Sequence, residues 1–354
     1  MGDKYVMKTY GRIPLVLVKG EGVRVWDAEG KEYLDFVAGL AVNSLGHCPP
    51  AVVDAIKKQV DNLMHVSNIY YIEPQIQLAR LLVENSCCDK VFFCNSGAEA
   101  NEGAIKLARK YEKQKYGSEK YEIITALKSF HGRTLATITA TGQPKYQQGF
   151  DPLPEGFKYV PFNDLMALEE AIGPNTCAVM LEPIQGEGGV NVATQSYLEG
   201  VREICNKHGL LLIFDEVQCG LGRTGKFFAY ENYGVQPDLI TLAKALAGGF
   251  PIGVLLATEE VAGAFQPGDH ASTFGGNPLA CSAGLAAMRT ILAEGFLDGV
   301  VEKSNYFKKS LEELATKYPF VKEVRGIGFL LGMELNMEGK EIVSRCQKDG
   351  LLIN

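Results

Sequence analysis

The chain has 354 residues, 35 Lys and Arg against 42 Asp and Glu for a net charge of −7, and a 46% hydrophobic share against 22% charged. That balance excludes an intrinsically disordered chain, and the acidic excess excludes a broad basic footprint for nucleic acid or an anionic membrane surface. The apolar runs are far shorter than the roughly 20 residues that a bilayer-spanning helix needs, so no membrane partner is expected.

The nine cysteines form no Cys-x-x-Cys pair, and the five histidines are scattered without a His-Glu-x-x-His, so neither a disulfide framework nor a metal site is expected. Met1-Gly2-Asp3-Lys4-Tyr5-Val6 leads no basic segment into an apolar one, and a cytoplasmic protein is expected.

In chain order, Arg24-Val25-Trp26-Asp27 and Glu32-Tyr33-Leu34-Asp35 flank a Glu29-Gly30 turn and predict a hairpin. From there the chain alternates. Short β-rich runs at 91–94, 121–125, 178–181, 210–214 and 239–242 are interleaved with helical periodicity at 100–113 and 197–208. Apolar runs without alternation fit strands buried on both faces, which predicts an α/β fold with a mostly parallel sheet covered by helices. An amphipathic stretch at 303–317 and strand-like sequence at 321–335 close the chain. Three regions follow: 1–45 as one part of a smaller α+β domain, 46–294 as a large domain, and 295–354 as the rest of the smaller one.

In such sheets ligands collect beyond the carboxyl ends of the strands, and four strand ends carry chemistry. Run 91–94 opens into Asn95-Ser96-Gly97-Ala98-Glu99-Ala100-Asn101, where Ser96 can cap a helix whose first amides suit a phosphate, or serve as an ordinary cap. Run 210–214 delivers Asp215-Glu216-Val217-Gln218. An acid there wants a cation if desolvated, or is a solvated loop acid. Run 239–242 delivers Lys244, either a desolvated amine suited to covalent catalysis or a lysine snorkelling to solvent. Run 121–125 precedes Ser129-Phe130-His131-Gly132-Arg133-Thr134, an aromatic face and a guanidinium fork, or a core residue and an internal ion pair. Gly220-Leu221-Gly222-Arg223-Thr224-Gly225 matches a dinucleotide fingerprint by letter, but the aromatic Lys226-Phe227-Phe228-Ala229-Tyr230 after it is no helix opening, so a nicotinamide oxidoreductase is the weakest reading. Together the strand ends offer a phosphate seat, a counter-charge for a ring nitrogen, an amine and a stacking aromatic, which is the set pyridoxal phosphate requires.

These stretches, with Glu182-Pro183-Ile184-Gln185-Gly186-Glu187-Gly188-Gly189 and Thr273-Phe274-Gly275-Gly276-Asn277-Pro278, resemble class III pyridoxal-phosphate aminotransferases from about residue 24 to the end. The resemblance implies fold type I of the pyridoxal-phosphate transferases, with a seven-stranded sheet in the large domain. It implies that Lys244 binds the cofactor aldehyde and then shuttles the substrate proton. Asp215 would pair with the ring nitrogen, with Phe130 and Val217 against the two ring faces and Gln218 at the ring hydroxyl. Ser96, Gly97 and Ala98 would hold the phosphate. Arg133 and Ser272 would bind substrate, and Glu187 would gate between an ω-amine and an α-amino acid. Thr273 would cross a homodimer interface to the partner's cofactor. The implied reaction moves the terminal amine of N2-acetyl-L-ornithine to 2-oxoglutarate, giving N-acetylglutamate 5-semialdehyde and glutamate, a step of arginine biosynthesis.

Other donors stay open at this point: ornithine, succinyldiaminopimelate and 4-aminobutyrate. An aminomutase or a non-catalytic scaffold also stays open. Against the family pattern the sequence stops at Gly350-Leu351-Leu352-Ile353-Asn354, short of a strand and a helix bearing an arginine that faces the gating glutamate, so the smaller domain is read as truncated.

Overall fold

The computed structural model describes residues 2–117 and 119–354. Its centre is a seven-stranded sheet in the order Lys90–Cys94, Gly253–Ala257, Leu239–Leu242, Leu211–Asp215, Thr176–Leu181, Glu122–Ala126, Phe157–Val160. All neighbours run parallel except Gly253–Ala257, which is antiparallel to both strands beside it. The five sequence-predicted strands are present, shifted by two residues or fewer at their ends.

Why the central runs carry no alternation is visible in the packing. Leu212, Phe214, Val179, Leu181, Ile240 and Leu242 point into one core, whereas Leu211, Ile213, Ala178, Met180 and Leu239 point into the other. Both faces are covered, so both parities must be apolar. Each of the larger side chains, Val, Leu, Ile, Phe or Met, taken fully from water contributes about 1.5–3 kcal/mol, which favours this sheet over any arrangement that leaves one face wet.

The helix Gly97–Tyr116 follows the first strand. It starts where Ser96 Oγ accepts the Glu99 N–H at 3.2 Å and ends at Gly117 with φ +58, a left-handed cap that glycine adopts without strain. Its Ala100, Ala104, Ile105, Leu107 and Ala108 face inward and lock it across the sheet. The helix start is thereby fixed at the carboxyl end of its strand.

The two chain ends meet in a second sheet, Leu17–Glu21, Arg24–Asp27, Glu32–Asp35 and Leu351–Leu352, in which the last strand pairs parallel to Glu32–Asp35. The hairpin turn is fixed by Asp27 Oδ1, which accepts from the Glu29 and Lys31 amides at 3.0 and 2.9 Å, with Gly30 at φ +86. The helix Phe296–Lys317 and the antiparallel pair Val321–Ile327 and Leu330–Leu335 complete this end of the molecule. Among the described residues no single helix is long and apolar enough to cross a membrane.

Candidate active site

A cavity of about 420 Å3 opens beyond the carboxyl ends of the parallel strands. Its wall contains Ser96, Gly97, Ala98, Phe130, Arg133, Glu187, Asp215, Val217, Gln218 and Lys244, ten of the twelve residues singled out from the sequence. Ser272 and Thr273 lie outside it. Ser272 stands behind Asn95, its Oγ accepting from Asn95 Nδ2 at 3.2 Å and from the Gly275 N–H at 3.0 Å, while Thr273 is exposed.

Lys244 stands one residue beyond Leu239–Leu242 and opens the 3-10 turn Lys244–Ala247, and its φ of +39 is a left-handed value for a side-chain-bearing residue. Such strain persists only where the surrounding structure imposes it, and it clusters at functional sites. Burial drives the Lys244 amine below its ordinary proton affinity, with Asp215, Glu182 and Glu187 opposing the shift. Among the described residues no hydrogen bond or ion pair engages Nζ. A half-buried amine of lowered basicity, without a partner among the described residues, is a nucleophile in waiting.

Asp215 ends its strand 3% exposed. Its Oδ2 accepts from Asn101 Nδ2 at 2.7 Å and from His131 Nδ1 at 2.8 Å, and its Oδ1 accepts the Val217 N–H at 3.0 Å. Asn101 is held in turn by Thr241, whose Oγ1 donates to Asn101 Oδ1 at 2.7 Å. Burial works against a charged His131, but the hydrogen bond and charge of Asp215 outweigh it and hold its pKa above the usual histidine value. The carboxylate is therefore buried, cross-braced and facing a cavity, as a fixed counter-charge must be. Glu182 sits beside it, accepting the Phe130 N–H on Oε2 at 3.0 Å, and burial pushes its carboxyl up to about 7.

The Gly97 and Ala98 amides begin the helix and find no acceptor among the described residues, leaving two donors for an anion. Gly97 has no substitute: a Cβ there would lie 2.8 Å from Val217 Cγ1. Phe130, on the same cavity wall, meets Tyr146 edge-to-face at 5.7 Å. Arg133 lies 4.0 Å from the Tyr146 ring centre and 5.4 Å from that of Phe130. Tyr146 also donates from its hydroxyl to Glu187 Oε1 at 3.1 Å. Glu187 stands on the turn of a small hairpin whose Gly189 carbonyl accepts from Arg325 Nη2 at 2.7 Å. Gln218 packs so tightly on Gly186 that a Cβ there would overlap its Oε1.

These groups fit pyridoxal phosphate. The free amine suits its aldehyde, the braced carboxylate its ring nitrogen, the open amides its phosphate, and Phe130 and Val217 its two faces. The dinucleotide look-alike does not fit its own ligand. Gly220–Gly225 forms turns rather than a helix start, and Arg223 inside it donates to Ser44 Oγ at 2.7 Å and the Ala41 carbonyl at 3.2 Å.

Asn101, Glu182 and Tyr146 were not assigned from the sequence. Glu182 carries the strand-end signal, since it directly follows a buried run; Asn101 sits inside a helix and Tyr146 on the short helix Pro144–Gln147, and neither carries a local signal.

Next to Asp215 but turned into the protein, Glu216 accepts the Ala229 and Tyr230 N–H groups at 2.6 and 2.7 Å. Burial outweighs both bonds and pushes its carboxyl up to about 8. A folded-state pKa above the unfolded one contributes stability that is complete below the unfolded pKa and is lost as pH rises toward 8. Calorimetry is expected to find stability falling across that window, by up to about 1.4 kcal/mol per pH unit for each group concerned. In Glu216→Gln the slope becomes shallower, and stability at mildly acidic pH drops because one of the two amides loses its acceptor. An unchanged slope would show that Glu216 stays charged in its pocket.

The chain belongs to the class III aminotransferases: the family model described as Aminotransferase class-III matches residues 5–354. It is 61% identical to an acetylornithine aminotransferase of Caldanaerobacter subterraneus subsp. tengcongensis over 99% of this chain and 89% of that protein. It is 58% identical to the acetylornithine aminotransferase of Methanocaldococcus jannaschii over 99% and 88%. Among solved structures, the ornithine aminotransferase of Toxoplasma gondii, described with partial occupancy of PLP at its active site, superposes with a TM-score of 0.95 at 36% identity, covering 99% of this chain and 85% of that one. The fold is fold type I of the pyridoxal-phosphate-dependent transferases.

Proposed function

We propose that this protein moves the terminal amine of N2-acetyl-L-ornithine to 2-oxoglutarate with pyridoxal phosphate as cofactor, giving N-acetylglutamate 5-semialdehyde and glutamate in arginine biosynthesis. The observation that carries the chemistry is the half-buried Lys244 amine, without a partner among the described residues, sharing one cavity with the braced Asp215 carboxylate and the open Gly97 and Ala98 amides. The choice of donor is supported by identities of 58–61%, over 99% of this chain, to relatives named acetylornithine aminotransferase.

Pyridoxal phosphate, when bound, supplies an aldehyde carbon for amine exchange and a ring that withdraws electrons while its nitrogen is protonated. Lys244 Nζ tethers it and, being less basic than an ordinary lysine, takes and returns the proton at the substrate carbon. Asp215 keeps that ring nitrogen protonated. The Gly97 and Ala98 amides bind the phosphate at a helix start capped by Ser96. Phe130 and Val217 close the two ring faces against water, and Gln218 reaches the ring hydroxyl. Arg133 holds the substrate carboxylate, where its planar fork suits bidentate binding, and Glu187 gates between the two amino groups.

Ser272 helps hold the substrate and Thr273 reaches the cofactor of a second copy, so the active unit is a homodimer. Its support is an apolar band beside them: Ile69 is 79% and Tyr71 97% exposed, and Asn68 ties that segment to the Ser272 carbonyl at 3.1 Å. Nine cysteines free of disulfides support a reducing, cytoplasmic setting. The smaller domain comprises 1–45 and 295–354, with 46–294 as the large one, a division supported by the pairing of Leu351–Leu352 with Glu32–Asp35.

A glutamate-coupled assay with N-acetylornithine, ornithine and 4-aminobutyrate against 2-oxoglutarate tests the assignment. N-acetylornithine is expected to give the highest kcat/KM; a better rate with either other donor would overturn the substrate choice. In Arg133→Lys a point charge replaces the fork, and KM for 2-oxoglutarate is expected to rise about 10- to 100-fold with a smaller change in kcat. An unchanged KM would remove Arg133 from carboxylate binding.

A further inference from the structure

Two opposite charges face the same cavity without pairing. Among the described residues Arg133 has no hydrogen bond and no ion pair, although Glu187 stands on the same wall. Tyr146 touches both. Its ring lies 4.0 Å from the Arg133 guanidinium carbon and its hydroxyl donates to Glu187 Oε1 at 3.1 Å. A cation over an aromatic face keeps its in-plane N–H donors open, whereas a carboxylate partner would occupy them.

Tyr146 is itself held firmly. It sits on the short helix Pro144–Gln147, where Gln147 Nε2 donates to the Thr141 carbonyl at 3.0 Å and the Thr139 carbonyl at 3.2 Å. The neighbouring Gln143 Nε2 donates to the Ser129 carbonyl at 3.0 Å, tying the helix to the loop that carries Phe130 and Arg133. Glu187, by contrast, is an exposed residue on a turn, with a side chain free to swing once its Tyr146 bond is gone.

We propose that Tyr146 is a positioning residue that keeps Arg133 and Glu187 from neutralising one another, so that the guanidinium fork stays open to the carboxylate of a dicarboxylic substrate. The proposal rests on the aminotransfer reading for its substrate, and on the ring and hydroxyl contacts for its mechanism. Removing only the hydroxyl leaves the ring over Arg133 and releases Glu187, which then competes with substrate for the fork.

The test compares the cofactor-loaded wild type with Tyr146→Phe, Glu187→Gln and the double variant, reading KM and kcat for 2-oxoglutarate and, by calorimetry, the Kd of the unreactive dicarboxylate glutarate. In Tyr146→Phe both KM and the glutarate Kd are expected to rise about three- to fivefold with kcat changed less than about twofold, the scale of a modest competing ion pair. In the Glu187→Gln background the same substitution has no such effect, because the competitor is gone. A merely structural tyrosine would weaken binding equally in both backgrounds, and that result, or unchanged constants in Tyr146→Phe, overturns the proposal. A wild type that forms no glutamate would sink the aminotransfer reading instead, while the glutarate comparison would still decide the role of Tyr146.

Discussion

Lys244→Ala is expected to lower turnover by at least about 10^4-fold while leaving a folded protein. Positioned proton transfer alone contributes about 10^2- to 10^4-fold, and this substitution also removes the amine proposed to tether the cofactor. Stability should move the other way. Burial lowers the proton affinity of the Lys244 amine, so below its unfolded pKa the folded state carries the cost of an unfavourably placed charge. Alanine removes that cost, and it meets the same φ of +39 that lysine already tolerates. The cofactor-free variant is therefore expected to melt at the same temperature as the wild type or higher. Added methylamine should restore part of the rate by supplying the missing base. A variant that keeps a tenth or more of the wild-type rate, measured by glutamate formation, would show that another group moves the proton.

The sequence made the centre of this site readable because strand ends are readable. Asp215 and Lys244 each follow an apolar run that folds as a strand buried on both faces, and the parallel register of Asp215 with Thr241 brings them to the same edge. The start of Gly97–Tyr116 was readable for a similar reason, since a capping serine and two small residues after a strand define a helix opening. Two strands of the seven-stranded sheet escaped the periodicity. Gly253–Ala257 follows a loop of glycine and proline, and its antiparallel direction breaks the alternation of strand and helix on which the reading rested. Phe157–Val160 is a short edge strand with Lys158 inside it. What lay beyond reach were contacts between segments distant in sequence. Asn101 braces Asp215 across 114 positions, and Tyr146 meets Glu187 across 41. No local spacing encodes such pairs; they follow from how the helix crosses the sheet and where the loops turn back.

Asp215→Asn preserves size and removes the charge, and kcat is expected to fall about 10^2- to 10^4-fold, the cost of breaking a buried charge pair of about 3–5 kcal/mol. The substitution also disturbs its own support. Oδ2 accepts from Asn101 Nδ2 and His131 Nδ1 while Oδ1 accepts the Val217 N–H, so an amide in either orientation turns a donor toward a donor. Stability falls as a result, and its pH dependence separates the two effects. In the wild type burial opposes a charged His131 but the Asp215 bond and charge prevail, so its pKa is raised and its stabilisation is complete below the unfolded value and lost as pH rises. Without that charge burial acts with less opposition, the folded pKa falls, and protonation of His131 turns from favouring the fold to disfavouring it. The stability difference between wild type and Asp215→Asn should therefore be larger at about pH 5.5 than at about pH 8. Equal losses at both would mean that His131 does not take its proton on account of Asp215, and that the bracing of this carboxylate is one of shape rather than charge.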